Sequence, residues 1–202
     1  FTLYARWVAG GEINVSFDLN AGGETLESMP SQRRFRTEKI EDPGTPSWPD
    51  TLAIKREFLG WSTTLDGATY WNFDIDTIPG DFEGDEFVLY ARWEITDIFD
   101  AGTEDVPFEI DSAELLSELA RLVNGGKSYK GKYFALAADI DLSETPWVPI
   151  GKQGAPFEGN FSAKVKNDTG EEPVNYEIKG LRIFTEDNYQ GFFGCIKGAT
   201  LQ

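Results

Sequence analysis

Alternating apolar and polar residues predict strands at both ends of the first 93 residues. Residues 13–19 and residues 87–93 each alternate strictly, which is typical of a strand with one buried face. The positions predicted to face inward are Ile13, Val15, Phe17 and Leu19 in the first strand and Phe87, Leu89, Ala91 and Trp93 in the second. We therefore expect both strands to contribute to one hydrophobic core.

The region between these two strands is aromatic but interrupted. Residues 57–63 and 69–73 are rich in aromatic side chains and predict strands or strand ends. Residues 42–50 contain three prolines and one glycine, so they are excluded from the interior of a regular sheet. The pattern predicts a small, mostly antiparallel domain with at most one short helix.

A helical period follows at residues 112–124. Asp111 and Glu114 have the spacing of a capping box, with Asp111 at the N-cap. Ile110 and Leu115 occupy the positions of a hydrophobic staple, and two consecutive glycines end the helix. The predicted apolar face consists of Leu115, Leu119, Leu122 and Val123.

The hydrophobic period changes to two after this helix. Short apolar strands centre near Ile140, Phe161, Ile183 and Leu201, at separations of 21, 22 and 18 residues. Such a repeat, with glycines between the strands, predicts a solenoid in which each coil buries its apolar face against its neighbours. We expect Ile140, Phe161 and Ile183 to form one buried column, with Leu119 of the helix covering its open end. A meander with the same spacing remains the alternative.

One short sequence occurs twice in the chain. Residues 1–7 recur as residues 87–93, with six of seven identities at an offset of 86 residues. Because residues 87–93 close the first unit, we expect residues 1–7 to be the last strand of a preceding repeat in a longer protein. Residues 94–111 carry seven acidic residues and no basic one, and we interpret residues 94–106 as an acidic linker.

Composition narrows the possible functions. The 202 residues have a net charge of −17 and include no histidine and one cysteine. The negative charge argues against nucleic acid and anionic lipid as partners. The missing histidine excludes Ser-His and Cys-His catalysis and His-based zinc sites, and no apolar run approaches the roughly 20 residues that span a membrane. We therefore expect no catalysis, no cofactor, no metal centre and no membrane insertion in this fragment.

Residues 8–93 resemble a known bacterial repeat. The motifs that carry the resemblance are residues 15–23, 58–62, 71–74 and 89–93. In order and spacing they are similar to the Listeria–Bacteroides repeat of the internalin B-repeat type. The resemblance implies a β-grasp-like module found in tandem on exported bacterial surface proteins, without catalytic residues. The chain departs from the family at Arg56 and Glu57, where the family has glycine and tyrosine, and in a longer preceding loop.

Residues 107–202 resemble a second family. The motifs are residues 138–142, 147–151, 157–161, 178–183 and 191–194, which are similar to the start of a GLUG-motif region. This resemblance implies the first coils of a right-handed parallel β-helix, with the helix at residues 112–124 as its N-terminal cap. A longer polar insertion at residues 163–175 departs from the family pattern.

Three polar segments are candidate sites, and each also has a simpler explanation. Gly-Gly-Lys-Ser at residues 125–128 imitates a phosphate-binding loop, but Arg121 stands where that motif needs glycine, so we favour a helix C-cap. The carboxylates of residues 74–86 suit calcium in type, but they lack EF-hand spacing, so a solvated acidic loop is favoured. Asp139 and Asp141 share one strand face, where two carboxylates sometimes act as acid and base, but we expect them to face solvent or cap a turn.

Tryptophans are the remaining candidates, because aromatic rings stack on sugars. The candidates are Trp48, Trp61, Trp71, Trp93 and Trp147. We expect Trp61, Trp71 and Trp93 to be buried, because the first resemblance implies that their motifs form the core. Trp48 lies in the proline-rich loop and is the candidate for ligand binding. Cys195 follows a glycine in an apolar segment and is predicted to be a small buried hydrophobic residue.

The expected fold class is mainly β with short helices, a β-grasp-like repeat followed by the cap and first coils of a β-helix. The expected function is non-catalytic: a stalk, adhesion or ligand-display module of an extracellular bacterial cell-surface protein. Its expected partners are an extracellular protein or glycan and the neighbouring repeats of the same chain. Two alternatives stay open. One is a polysaccharide-acting β-helix enzyme whose active site lies outside this fragment, and the other is a glycan-binding module that uses Trp48 and loop acids.

Overall fold

The computed structural model describes residues 11–165, 174–184 and 188–202. It is mainly β with one α-helix, which confirms the coarse fold class. The prediction for residues 1–7 lies outside the described residues. The chain divides into two compact units. The first unit contains the described residues up to Pro49 and Arg56–Ile95, and the second contains Asp50–Lys55 and Thr96–Gln202.

The described residues of the first unit form a four-stranded sheet in the order β2-β1-β4-β3. The strands are β1 (Ile13–Asp18), β2 (Gln32–Arg34), β3 (Ile54–Ser62) and β4 (Glu86–Asp97). β1 pairs antiparallel with β2, whereas β1 and β4 in the centre run parallel. The expectation of a mostly antiparallel domain is therefore wrong for the central pair.

The core of the first unit follows the predicted alternation. Ile13, Val15 and Phe17 of β1 are buried, as are Phe87, Leu89 and Ala91 of β4, while Leu19 and Trp93 pack against them half-buried. Residues 69–73 do not form the predicted strand, and Trp71 instead donates its backbone N–H to the Trp61 carbonyl at 2.6 Å. The described residues of this unit contain no helix, and residues 42–50 form no strand, as expected.

Residues 94–101 of the segment interpreted as an acidic linker form regular structure, whereas residues 102–106 lie in no helix or strand. β4 continues to Asp97, and a short 3-10 helix, Ile98–Ala101, follows directly. Phe99 in that helix is fully buried in the core of the second unit, where it packs edge-on against Phe108 and Phe134. The acidic residues of this segment predicted an exposed linker and did not indicate that the ring of Phe99 is buried.

The helix α1 spans Ala113–Asn124, but its cap differs from the predicted one. Ser112 is the N-cap, and its hydroxyl accepts the Leu115 N–H at 3.5 Å. The cap therefore sits one residue later than Asp111, so the predicted capping box and staple do not form. Buried apolar positions of α1 include Leu116, Leu119, Leu122 and Val123, and Leu115 is half-buried.

Parallel strand pairing dominates the rest of the second unit. β5 (Phe108–Ile110), β6 (Tyr133–Leu136) and β8 (Asn160–Ser162) form one parallel sheet, and β7 (Ile140–Asp141) pairs in parallel with β11 (Ile178–Lys179). This pairing excludes the meander for these strands. The polar insertion contributes β9 (Lys164–Val165) and β10 (Val174–Asn175), which pair antiparallel.

The predicted column is wrong in register. Phe161 aligns with Phe134 and, by an isolated parallel bridge, with Leu201, while Ile140 aligns with Ile178. The aligned apolar column is therefore Phe108, Phe134, Phe161 and Leu201. Leu119 is fully buried in the same core, as predicted for the capping helix.

Candidate functional site

Trp48, the predicted ligand-binding residue, lies half-buried in the first unit. Its indole N–H donates to Glu24 Oε2 at 2.8 Å, and its ring meets Trp93 edge-on with 5.3 Å between centroids. The Arg56 guanidinium carbon lies 4.7 Å from the centre of the Trp48 ring. The proline-rich loop thus delivers the ring into a cluster formed with β3 and β4.

Arg56 ties this cluster together. Its side chain is 8% exposed, and it contacts Glu24 at 3.5 Å and donates to the Pro49 carbonyl at 2.6 Å. The cation stacked on Trp48 is therefore desolvated, which strengthens a cation–π contact. Arg56 covers one face of the Trp48 ring, and Glu24 accepts its indole N–H. A ligand at this position could contact only the remaining surface of the ring and the exposed Glu24 carboxylate.

Among the tryptophans that the structure describes, Trp61 and Trp147 are buried, whereas Trp71 and Trp93 are half-buried and pack against the core, so the expectation of burial is wrong for those two. Trp61 is 2% exposed and packs on Phe17, and Trp147 is 4% exposed and stacks on Phe192 at 5.2 Å. Trp93 is half-buried and donates its indole N–H to the Leu19 carbonyl at 2.8 Å. Cys195 is half-buried, so the expectation of a buried thiol is wrong.

Asp139 and Asp141 are both exposed and serve local structure. Asp139 accepts the Glu177 backbone N–H at 2.9 Å and pairs with Lys179 at 3.1 Å, and these contacts lower its pKa. Asp141 accepts the Ser143 N–H at 2.8 Å, which lowers its pKa too. Both carboxylates are thus held ionised as acceptors, which is unsuited to a proton donor near neutral pH.

The two other polar candidates fit their simpler explanations. Gly125 donates its N–H to the Arg121 and Leu122 carbonyls, and Gly126 has a φ of +110°, so residues 125–126 end α1. In the acidic loop, Asp76 accepts the Asn72 N–H at 2.7 Å. Within the described residues, no three His, Cys, Asp or Glu side chains come together as a metal-binding group.

Sequence reasoning missed a buried carboxylate on α1. Glu118 is 8% exposed and accepts from the Arg121 guanidinium at 2.7 and 2.9 Å and from the Thr51 hydroxyl. The Arg121 hydrogen bond, and to a lesser degree those from Thr51 and the Ala53 backbone, lower the pKa of Glu118 despite its burial. A glutamate on the apolar side of an amphipathic helix was the available signal.

A second buried polar group lies at the end of β4. The Asp97 side chain is 4% exposed and accepts from the Tyr129 hydroxyl at 2.9 Å and the Phe99 N–H at 3.1 Å, with Lys127 Nζ at 3.3 Å. Burial, and then the neighbouring Asp97 charge, raise the pKa of Tyr129. These contacts hold the 3-10 helix in place.

A surface cleft of about 530 Å³ lies in the second unit beside α1. Ser117, Ala120 and Asn124 of the helix form one wall, and Pro146 and Trp147 form the other. Because Trp147 is 4% exposed and hydrogen-bonded to Phe192, its ring is a packed element of the core. The polar side chains that line the cleft are Ser117, Arg121 and Asn124.

Comparison with known proteins identifies no family for this chain. No protein-family model matches the chain, and the curated proteins likewise contain no match. Among the residues that the structure describes, no helix has the length and apolar character needed to cross a membrane.

Proposed function

We propose that this chain is a non-catalytic part of an exported bacterial cell-surface protein, in which it serves as a stalk, adhesion or ligand-display module. In this proposal the first unit is an internalin B-repeat-like, β-grasp-like module. The second unit is the cap and first coils of a GLUG-type right-handed β-helix. The partners are an extracellular protein or glycan and neighbouring repeats of the chain.

The first unit supports the proposal through the position of its motif residues. Phe58 and Trp61 of the aromatic motif pack together at 5.5 Å, and Phe58 also packs on Trp93 at 5.4 Å. The first and last motifs lie on β1 and β4, the parallel central pair. Three of the four motifs thus contribute residues to the sheet, and Phe17, Trp61 and Leu89 of these motifs are buried in its core.

The parallel apolar column of the second unit is the observation that carries the proposal. Phe134 aligns with Phe108 on one side and with Phe161 on the other, so one aromatic position repeats from strand to strand. Stacked parallel strands of this kind bury their faces only against neighbouring layers, which makes an extensible scaffold. The motif residues Trp147, Ile150 and Phe157 are buried in the same core.

The polar side chains support a structural role over catalysis. Asp139 and Asp141 are engaged with backbone N–H groups, and Asp97 and Glu118 are buried acceptors within the core. Each of these carboxylates has a structural task that explains its position. The proposal therefore assigns the function to the shape of the scaffold and the ligands it presents.

An activity and binding screen separates the proposal from its two alternatives. The chain is incubated with neutral and acidic polysaccharides, and new reducing ends and unsaturated products are measured; we expect none. Turnover that is lost in Asp139→Asn or Asp141→Asn would favour the enzyme and contradict the proposal.

The same protein is then applied to arrays of glycans and extracellular matrix proteins. Trp48→Ala is compared with Phe35→Ala, which removes an exposed aromatic ring from the same unit. Binding to a matrix protein without turnover supports the proposal. Glycan binding that Trp48→Ala removes and Phe35→Ala keeps identifies the glycan-binding alternative.

A further inference from the structure

The segment Asp50–Lys55 belongs to the second unit although it follows the proline-rich loop of the first. Ala53 is fully buried and Ile54 is 6% exposed, and both lie in the core that contains α1 and the parallel strands. Leu52, between them and Thr51, is 53% exposed. We call Asp50–Lys55 the inserted segment.

Hydrogen bonds fix the inserted segment inside the second unit. The Ile98 N–H donates to the Ala53 carbonyl at 2.9 Å, and the Thr51 hydroxyl donates to the buried Glu118. Thr51 also closes a tight turn, because its N–H donates to the Ile54 carbonyl at 2.9 Å and its Oγ1 accepts the Ile54 N–H at 3.0 Å. The hydrogen bond from the Ile98 N–H and one of the hydrogen bonds that Glu118 accepts therefore form only when the segment is in place.

Chain connectivity makes this arrangement depend on the first unit. β3 starts at Ile54 and runs into the first unit, and β4 returns from it and ends at Asp97. The two strands are hydrogen-bonded neighbours in the sheet. When the first unit is folded, pairing of β3 with β4 therefore brings the chain just before Arg56 near the chain just after Ile95. Ala53 then lies close to Ile98.

We infer that the second unit depends on the folded first unit, because only the β3–β4 pair delivers the inserted segment without a loop-closure cost. Ala53 and Ile98 are 45 residues apart in the chain. If the first unit unfolds, closing a flexible loop of this length disfavours the contact about 300-fold, from the three-halves power of loop length. This dependence requires no cell-surface role and so goes beyond the proposed function.

Hydrogen exchange of the full chain tests the dependence. Leu89→Asp places a charge at a fully buried position of the first unit, and Leu65→Asp makes the same change where the side chain is 54% exposed. We expect Leu89→Asp to remove the protection of β1 and to accelerate exchange of α1 amides by about two orders of magnitude. Leu65→Asp should leave both elements protected.

If the β1 amides of Leu89→Asp stay protected, urea is added until they exchange freely in this variant. The exchange rates of the α1 amides are then compared between Leu89→Asp and Leu65→Asp at that urea concentration. If the α1 amides are as well protected in Leu89→Asp as in the Leu65→Asp control although β1 has lost its protection, the inference is overturned.

A second pair of variants tests the inserted segment directly. Ile54→Asp should accelerate exchange of α1 amides, whereas Leu52→Asp, two residues away and exposed, should not. Equal α1 protection in these two variants would show that the segment is dispensable for the second unit and would also contradict the inference.

Discussion

Gly151 and Gly154 form a matched pair that tests the layer packing of the second unit. Their φ angles are +83° and +84°, so alanine is strained to the same degree at both positions. A Cβ at Gly154 meets nothing within 4 Å, whereas a Cβ at Gly151 would lie 2.1 Å from the Cys195 carbonyl oxygen and 3.0 Å from Phe157 N. The two substitutions therefore differ only in the approach of a neighbouring layer.

The expected magnitudes follow from these contacts. The left-handed backbone costs alanine about 1–2 kcal/mol at either position. At Gly151 the Cys195 backbone must also move, although its carbonyl accepts the Phe157 N–H at 2.9 Å and its N–H donates to the Gly151 carbonyl at 3.1 Å. Weakening two hydrogen bonds at about 1 kcal/mol each and displacing the fully buried Phe157 bring the total to about 3–5 kcal/mol.

Urea unfolding, followed by the amide NMR signals of the second unit, measures the difference. We expect Gly151→Ala to lower the unfolding midpoint by about 1 M more than Gly154→Ala, for a typical urea dependence of about 2 kcal/mol per M. Equal midpoints for the two variants would refute the close packing of residues 193–196 against Gly151.

Two further predictions concern α1. The ionised Glu118 carboxylate stabilises the fold at pH values above its ordinary pKa of 4.5, and this contribution is lost as the pH falls through the lowered pKa. Glu118→Gln should therefore reduce the fall in melting temperature between pH 5 and pH 3. If the melting temperatures of variant and wild type fall in parallel, the ionisation of Glu118 is not coupled to folding. Leu119→Asp, at a fully buried position, should unfold or aggregate the second unit, because a buried unpaired charge is costly. Ser117→Asp, on the exposed side of the helix, should do neither. Thermal melting and light scattering compare the two variants, and equal stability would place Leu119 outside the core.

Local patterns predicted the elements whose burial is decided within a few residues. The alternation of β1 and β4 marked their inward faces, and the helical period located α1 to within one residue. The N-cap was misplaced because Asp111 and Ser112 are adjacent and both are good capping residues. Trp48 was located in an irregular loop, but nothing in the sequence indicated that the Arg56 side chain of β3 would cover its ring.

Long-range pairing was the part that the sequence could not supply. Neighbouring apolar centres such as Ile140 and Phe161 were read as one column, but each layer carries more than one apolar strand, so Ile140 aligns with Ile178 and Phe161 with Phe134. The buried Ala53 and Ile54 follow a proline-rich loop and look like ordinary turn residues. Their partners are distant in the chain: the Ala53 carbonyl accepts the Ile98 N–H from 45 residues away, and the hydroxyl of nearby Thr51 donates to Glu118, 67 residues away.

The central claim, a module displayed at a bacterial cell surface, is tested most directly on the cells that encode this chain. Antibodies raised against the purified 202-residue chain are applied to intact cells and to lysed cells, and antibodies against a ribosomal protein serve as the control for leakage. The account predicts labelling of intact cells, and loss of that labelling after protease treatment of the intact cells. Labelling that appears only after lysis, together with the ribosomal control, would contradict it.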